Sequence, residues 1–417
     1  MKDFRNSVRT VPLLFLTSAL LFLYGFLMGG QQFVISGIAR TFRLSEVGMG
    51  ALVSAEFAAV IVMPPLMGFI AQRTGNKAVL MTFTLVYCAG CISCGAAPVA
   101  ALYAVGAFVM GCGHSVCESI SSAVVLDLDS VKGLRYMNTL QCALSAGAII
   151  SPPLVRFAQE KAGMPWRYLF FFCAGVLFLL FLMMSGMRFP RKPAAESIPA
   201  RQDRSATDPD RLARDGSTPA EKQKTGKSVQ RFPAFRPFLP FLVAIILYVG
   251  LECGFGYFAE TLFSDGMGST LGAMGISAYW LGMALSRLVF SAADYRPLKT
   301  LRAAFACCAV LLAALSVCPN PAAGVVICAL LGAAYGPIWT TLATLAVRTD
   351  PGQSSFIMGI MSMGCGAGGV VFPVVMGRLS ESFTIGRAFW FLVLTAGICL
   401  AVCLGVKNGQ ETSVSNQ

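Results

Sequence analysis

Residues 166–187 read WRYLFFFCAGVLFLLFLMMSGM, an apolar run that carries a single charge, Arg167. A helix needs about 20 apolar residues to cross the hydrocarbon core, and it satisfies all its backbone hydrogen bonds within one segment. Further runs of this kind follow the whole chain. The twelve predicted spans are 11–36, 48–71, 78–96, 99–126, 136–158, 166–187, 238–263, 271–293, 301–317, 322–347, 355–379 and 388–406. The sequence therefore predicts an all-α membrane protein with twelve transmembrane helices.

Composition supports the same fold class. Of the 417 residues, 56% are hydrophobic and 12% are charged, and the mean hydropathy is +0.69. A soluble domain carries about 25% charged residues, so this chain could not cover a water-facing surface. A soluble enzyme, a nucleic-acid-binding module and a disordered protein are thereby excluded. The 15 cysteines lie almost entirely in apolar runs, where cysteine behaves as a small hydrophobe, and we expect no metal site among them.

The basic residues predict how the chain is oriented. The net charge is +12, and residues 188–236 hold twelve Lys and Arg against six acids. Lys and Arg concentrate in the cytoplasmic loops of membrane proteins. With the N-terminus inside, the inner segments hold 24 basic residues and the outer segments hold seven. We therefore expect a multi-pass plasma membrane protein with both termini in the cytoplasm.

The polar stretch in the middle of the chain predicts two domains. Residues 1–187 form the N-terminal bundle, 188–236 a cytoplasmic linker, 237–407 the C-terminal bundle and 408–417 a cytoplasmic tail. Residues 195–230 are rich in Pro, Ser, Asp and Arg and have few large apolar side chains. Such a segment buries too little surface to offset its ordering entropy, so a flexible linker is expected. A phosphorylation or docking segment is the alternative.

An internal repeat relates the two bundles. The matched segments are Leu23-Tyr24 with Leu247-Tyr248, Ala71–Lys77 (AQRTGNK) with Ala293–Lys299 (ADYRPLK), and Gly147–Pro152 (GAIISP) with Gly368–Pro373 (GGVVFP). Their offsets of 224, 222 and 221 residues are nearly constant. Repeats of this kind build transporters whose solute site lies between the halves, near the middle of the membrane. We therefore predict two pseudo-symmetric six-helix bundles around a central site.

One loop carries a family resemblance. Residues 68–77 (GFIAQRTGNK) resemble the motif between spans two and three of the major facilitator superfamily. In that family the glycines allow tight packing and the cations belong to a conformational latch. The resemblance assigns Gly68, Arg73, Gly75 and Lys77 to that latch. Gln72 stands where the motif usually has an acid, which implies a weaker latch.

Other segments are similar to the fucose permease-like branch of that superfamily. They are YVGLE at 248–252, YWLG at 279–282 with Arg287, CES at 117–119 and residues 138–141. Members of that branch take up sugars with protons. The resemblance implies that Glu118 binds substrate or carries the proton, and it puts Gln141 at a sugar-contacting position. The acid usual in span one is replaced here by Gln31-Gln32, so a different coupling or a different solute is implied.

Charges inside the membrane cost at least about 2.5–3.5 kcal/mol each, so each needs a role. Glu118 and His114, the only histidine of the chain, lie four residues apart in span four and share a helix face. We predict that they couple transport to protons; a purely structural hydrogen-bonded pair is the alternative. Glu56 in span two has no evident partner in the sequence, and only a gating role can be guessed for it.

The predicted substrate-binding residues are polar or aromatic side chains within the spans: Gln31, Gln32, Asn138, Gln141, Ser145, Tyr248, Glu252, Tyr335 and Trp339. The amides among them can donate and accept at once, which suits hydroxyl groups. Packing is the alternative for the span-five stripe and for the two aromatic residues of span ten. For span seven, binding and a structural tie are equally open. Arg287 is predicted to form a structural ion pair with a buried acid; neutralising an anionic solute is the alternative.

These features predict a secondary active transporter that moves a small polar solute, a sugar or a related hydroxylated compound, by proton-coupled uptake. Proton-driven efflux of drugs or metabolites is the alternative, because Met- and Phe-rich walls suit varied ligands. No phosphate loop for an ATP motor is found, and no enzyme activity, metal or cofactor is expected. The expected partners are the solute, protons and the lipid bilayer, with no nucleic acid. We expect the chain to act as a monomer.

Overall fold

The computed structural model describes residues 2–128, 133–187, 235–292, 295–349 and 354–406. Within these ranges the regular structure is helical throughout, and twelve segments are long and apolar enough to cross a membrane. The prediction of an all-α membrane protein with twelve transmembrane helices is confirmed. The linker predicted at 188–236 lies outside these ranges except for its last two residues, and the tail predicted at 408–417 lies outside them entirely.

The helices alternate with short connections. Those of the first half are α1 (Lys2–Thr41), α2 (Glu46–Thr74), α3 (Asn76–Ala96), α4 (Ala100–Leu128), α5 (Gly133–Ala162) and α6 (Arg167–Gly186). Those of the second half are α7 (Phe235–Thr261), α8 (Gly272–Ala292), α9 (Pro297–Ser316), α10 (Pro321–Tyr335), α11 (Ile338–Arg348), α12 (Ser354–Ser382) and α13 (Ile385–Gly405). A π-helical turn, Leu262–Gly266, extends α7.

The tenth span is broken, although the sequence predicted one continuous helix over 322–347. Helix α10 ends at Tyr335 and α11 begins at Ile338, with Gly336 and Pro337 between them. Proline lacks the backbone N–H and its ring crowds the preceding turn. Pro152, Pro153 and Pro373 are accommodated within α5 and α12, but the helix is interrupted at Gly336-Pro337. The hydroxyl group of Thr341 donates to the Pro337 carbonyl at 2.6 Å and satisfies an acceptor at the break.

Matching helix pairs build the two halves. In the first half, α1 packs on α5, α2 and α3 on α4, and α3 on α6. The equivalent pairs of the second half are α7 on α12, α8 and α9 on α10, and α9 on α13. Between the halves, α2 packs on α12, α5 on α8 and α1 on α7. The fold is therefore two pseudo-symmetric six-helix bundles, as predicted.

The two ends of the molecule differ in their connections. Six short connections, at 42–45, 97–99, 163–166, 267–271, 317–320 and 383–384, lie at one end, which we call the hairpin end. At the opposite end, which we call the terminus end, α1 begins, α13 finishes and Gly75 connects α2 to α3. These names fix directions along the helices without reference to a membrane side.

The repeat extends to the closest helix crossings. Gly147 of α5 lies against the Phe22 carbonyl of α1, and Gly368 of α12 lies against the Ile246 carbonyl of α7. A side chain at either glycine would meet backbone, which cannot swing aside as a flexible side chain can. Each bundle is therefore held at its centre by a glycine that allows two helices to touch.

Replacing Gly147 by leucine should unfold the N-terminal bundle or lower its melting temperature strongly. Overpacking of a core costs typically about 1–3 kcal/mol and more where the backbone must shift. Gly175→Leu is the matched control, because Gly175 lies on an exposed face of α6 with open space around its Cα. Melting curves of the detergent-solubilised variants measure the effect. Equal stability of the two variants would contradict the close crossing.

Candidate functional site

Glu118 lies on α4, partly exposed, with roughly three helical turns remaining towards the terminus end. Gln141 of α5, His114 of α4 and Arg287 of α8 influence its carboxyl group electrostatically. One turn beyond Gln141, Ser145 is buried and its hydroxyl has no partner among the described residues. The structure thus brings together three of the predicted residues of the first half. The side chain of Asn138 lies outside the described part.

The second half supplies another acid. Glu252 of α7 is partly exposed, and Tyr248 lies one turn earlier on the same helix, where its side chain influences the Glu252 carboxyl group. Tyr248 is buried, and its hydroxyl also lies 3.5 Å from the Tyr335 carbonyl. The Tyr248 and Tyr335 rings are 5.5 Å apart. Tyr335 is therefore packed into the aromatic core, while Trp339, beyond the break in span ten, is partly exposed.

Arg287 of α8 links the two acids electrostatically. Its charge acts on Glu252 in its own bundle and on Glu118 of the other bundle. Its Nε and Nη1 atoms are buried and have no hydrogen-bond partner among the described residues. No ion pair within 4.0 Å joins Arg287 to a carboxylate in the described ranges, so the predicted direct pair is not formed in this conformation. Two of its donors therefore have no partner among the described residues, while its charge acts on carboxylates from both halves.

The two glutamines of span one are fully buried and already bonded. Gln31 Nε2 donates to Glu56 Oε2 at 2.8 Å. Trp280 Nε1, from the other bundle, donates to Gln32 Oε1 at 3.0 Å. In this conformation Gln31 joins α1 to α2 and Gln32 joins the two bundles. The substrate-binding role predicted for them would require these bonds to open.

The nearest partner of His114 is Glu56, which the sequence left without one. His114 Nε2 lies 3.0 Å from Glu56 Oε1, and the ring stacks on Tyr24 at 4.5 Å with a 13° angle between planes. Glu118, one turn along α4, acts on His114 through its charge. Helical spacing reveals neighbours on one helix but not contacts between helices. The one feature of the sequence that could have indicated this contact is Glu56 itself, an acid that stands alone in an apolar run.

All described hydrogen bonds between the bundles lie in the hairpin half of the molecule. Besides the Gln32–Trp280 bond, Ser277 Oγ donates to the Ile149 carbonyl at 2.8 Å, and the Val47 N–H donates to Glu381 Oε1 at 2.8 Å. Ser54 donates to the Val370 carbonyl, and Arg156 donates to the carbonyl and hydroxyl oxygens of Thr270. The hairpin end is therefore closed.

The predicted latch residues are only partly described. Gly75, with φ at 88°, separates α2 from α3 in a backbone conformation that favours glycine. Lys77 Nζ donates to the carbonyls of Ser185 and Met187 at 3.0 and 2.6 Å. These bonds tie α3 to the end of α6 within one bundle. The surroundings of Gly68 and the side chain of Arg73 lie outside the described part, so the latch stays a prediction.

Each of the two helical bundles carries charged side chains in mid-span, and the bundles touch each other at one end. This arrangement is typical of membrane carriers. The family model of the Major Facilitator Superfamily matches residues 17–355. The chain belongs to the Major Facilitator Superfamily and is a multi-pass membrane transporter for a solute.

Curated relatives match a shorter stretch. Multidrug resistance protein MdtL of Escherichia coli strain 536 is 27% identical over 170 residues, which are 39% of this chain and 42% of the relative. The protein of the same name from Shigella flexneri is 26% identical over 170 residues, with the same shares. The chain thus spans less than half the length of the curated relatives it matches.

Solved structures match nearly the whole chain. The nucleoside transporter NupG has a TM-score of 0.72 at 13% identity, covering 94% of this chain and 99% of that one. An inward-facing bacterial homologue of the human lysosomal transporter Spinster has 0.69 at 14%, with 95% and 96% covered. The Escherichia coli fucose:proton symporter FucP has 0.63 at 17%, with 95% and 98% covered. At these identities the similarity shows the fold.

Proposed function

We propose that this transporter takes up a small hydroxylated solute together with protons, by alternating access, with Glu118 as the proton-coupling group. The observation that carries the proposal is the meeting of Glu118 with Glu252 and Arg287 between the bundles, beneath a closed hairpin end. Charged groups within membrane spans commonly mark substrate paths and proton relays. Here they come from both halves, so their spacing changes whenever the bundles rock.

The polar groups around Glu118 suit a solute that carries hydroxyls. The Gln141 amide donates and accepts at once, while Glu252 and Tyr248 offer acceptors and a donor from the other bundle. Arg287 supplies donors that have no partner among the described residues. A hydroxylated ring bound here would satisfy groups from both halves, and Trp339 offers a partly exposed aromatic face for it. The segments that resemble fucose permeases contain Glu118, Gln141, Tyr248, Glu252 and Arg287.

The distribution of basic residues supports an orientation in which the closed hairpin end faces outside. Lys and Arg concentrate at the terminus end, with 24 against seven at the hairpin end, and such residues favour the cytoplasm. On this basis both termini face the cytoplasm of a plasma membrane protein. A form that is closed outside, with the partly exposed Glu118 towards the cytoplasmic end, corresponds to an inward-facing state. In an uptake cycle this is the form that releases the solute.

Proteoliposomes test the proposal once thermal-shift screening of sugars, organic acids and amines has identified a solute. Glu118→Gln should abolish accumulation driven by a pH gradient, because an amide cannot carry a proton. Exchange of labelled for unlabelled solute at equal pH should continue, because it needs no net proton movement. Asp265→Asn removes an exposed acid and should leave both activities unchanged. If Glu118→Gln leaves pH-driven accumulation intact, the coupling assignment is wrong.

Proton-driven export is the second candidate. The curated relatives are named multidrug resistance proteins, and efflux would use the same fold and the same acids with the flux reversed. Overexpression in a sensitive bacterial strain separates the two candidates. Export predicts resistance to several unrelated toxic compounds, lost in Glu118→Gln, whereas uptake predicts no such resistance and growth on the transported solute.

A further inference from the structure

A second acidic group lies nearer the hairpin end than Glu118 and is more deeply buried. Glu56 and His114 are 5% and 3% exposed. Each carboxylate oxygen of Glu56 has a nitrogen partner: Oε1 faces His114 Nε2 at 3.0 Å, and Oε2 accepts from Gln31 Nε2 at 2.8 Å. A buried carboxylate needs such partners, because an unpaired charge in a low-dielectric interior is strongly unfavourable. His114 Nε2 approaches Glu56 without an aligned hydrogen bond among the described residues, so the pair is a close acid–base contact that can share one proton.

The closed hairpin end seals this pair. Gln32, adjacent to Gln31, is bonded to Trp280 of the other bundle. On α2, Ser54 donates to the Val370 carbonyl, and the Phe57 ring lies 6.4 Å from that of Tyr257. Every one of these contacts joins the two bundles within about one turn of Gln31 or Glu56. Separation of the bundles at the hairpin end would break all of them together and expose the pair from that side.

Glu118 shows the opposite accessibility. It lies one turn beyond His114 towards the terminus end and is partly exposed, whereas His114 is buried and its Nδ1 atom has no partner among the described residues. Glu56 contacts the imidazole from α2, and Glu118 lies one turn from it along α4. Glu56 is buried under the closed end of the molecule, and Glu118 is partly exposed.

We propose that Glu56 and His114 form a second proton-binding site, which exchanges its proton with the hairpin side only while that end is open. The proposal rests on the proposed proton coupling, and it assigns Glu56 a role that Glu118 cannot fill in the closed form. When the pair binds a proton, the carboxylate–imidazole pair gains one positive charge; when the proton leaves, that charge is lost. The proton is the only atom that the pair exchanges with its surroundings in this step. Opening and closing of the hairpin end would therefore gate the proton as well as the solute.

Other titratable groups face Glu56 from each helix around it. They are Tyr24 of α1, Tyr87, Cys91 and Cys94 of α3, Tyr103 of α4, and Cys253 and Tyr257 of α7. His114 also faces Glu118 along α4. Phenols and thiols titrate in water at about 10 and about 8.5, so in the acidic-to-neutral range the carboxyls and the imidazole are the groups that exchange protons.

The single histidine makes the site directly observable. Protein labelled with ¹⁵N in its histidine ring, with any affinity tag removed, gives signals from His114 alone. Spectra in nanodiscs between about pH 5 and pH 8 report the protonation of each ring nitrogen. We expect Glu56→Gln to change the Nε2 signal throughout this range, because Nε2 loses its carboxylate partner. Glu118→Gln should change it much less, because Glu118 is not the direct partner.

Proton counting gives a second readout. Titration of solute-free protein against a pH indicator should show about one proton fewer bound in Glu56→Gln, counted for the coupled pair rather than for either residue. His114→Gln should show the same loss, which keeps the proposal testable if one variant folds poorly. Asp265→Asn serves as the control for loss of an exposed acid.

Identical His114 spectra in wild type and Glu56→Gln would overturn the proposal, as would a larger effect of Glu118→Gln. Neither measurement needs a solute or a gradient. A wild-type protein that shows the expected spectra but no pH-driven accumulation would therefore contradict the proposed function and leave the proton site standing. Normal pH-driven accumulation with unresponsive spectra would overturn the proton site and leave the proposed function standing.

Discussion

Gly377→Leu should strongly reduce transport and leave the protein folded. Gly377 of α12 lies against the backbone of Glu46 and Val47 at the start of α2, in the opposite bundle. A leucine there would hold the bundles apart at the hairpin end without disturbing either bundle internally. The contrast with Gly147, whose contact lies within one bundle, follows directly: substitution at Gly147 should unfold the protein, and substitution at Gly377 should trap one state of it.

The expected loss of transport in Gly377→Leu follows from the free-energy cost of overpacking. A side chain that raises the free energy of the closed state by about 1–3 kcal/mol lowers the population of that state about 5- to 150-fold relative to the open state. Transport needs the closed form once in every cycle and should fall by a similar factor. Uptake of the identified solute and melting curves measure the two effects.

The matched control for Gly377→Leu is Gly397→Leu. Gly397 lies on an exposed face of α13 with open space around it, so a leucine there should leave transport and stability near wild type. Transport by Gly377→Leu at the wild-type rate would mean that the hairpin end need not close during the cycle.

Arg287→Met should be the most damaging change at the central site. Its guanidinium is the cation whose charge acts on both Glu118 and Glu252. Removing one partner of a buried charge cluster costs about 3–5 kcal/mol because the remaining charges lack compensation, and every 1.4 kcal/mol is a tenfold change in an equilibrium. The folding equilibrium should therefore fall by about 100- to 4,000-fold, and solute binding and transport should fall with it, measured by thermal shift and by uptake.

A second variant separates charge from shape at this site. Arg287→Met combined with Glu252→Gln removes one cation and one acid, so the net charge of the cluster returns to its original value. Folding should then recover to near wild type even if solute binding does not. If Arg287→Met alone transports normally, Arg287 is not the counter-charge of the central acids.

The architecture could be predicted from the sequence because it depends on local and periodic features. Apolar runs such as 166–187 set the spans, and the segments that the repeat matched lie at equivalent crossings, where Gly147 and Gly368 meet the carbonyls of Phe22 and Ile246. The break at Pro337 was also within reach of simple rules. It was missed because hydropathy alone continues through Gly336-Pro337.

The candidate site was predictable only along single helices. Spacing placed His114 near Glu118 and Tyr248 near Glu252, and these neighbours are found. The contacts of His114 with Glu56, and of Gln32 with Trp280, join helices that are far apart in sequence. Such contacts depend on the rotation of each helix about its own axis. Without that rotation, the glutamines of span one were expected to face the solute rather than to hold helices together.

Distances between the hairpin ends of the two bundles test alternating access most directly. Spin labels on genetically encoded ketone residues, which leave the native cysteines untouched, can replace Lys161 of the first bundle and Val317 of the second, both exposed. Labels at Lys161 and Val99, both in the first bundle, give the control distance. Pulsed electron resonance in nanodiscs should show a short Lys161–Val317 distance matching the closed form and a longer one that dominates in Gly377→Leu, with the control pair constant. A single Lys161–Val317 distance, unchanged by pH, by the solute and by Gly377→Leu, would contradict rocking of the bundles about the Glu118 site.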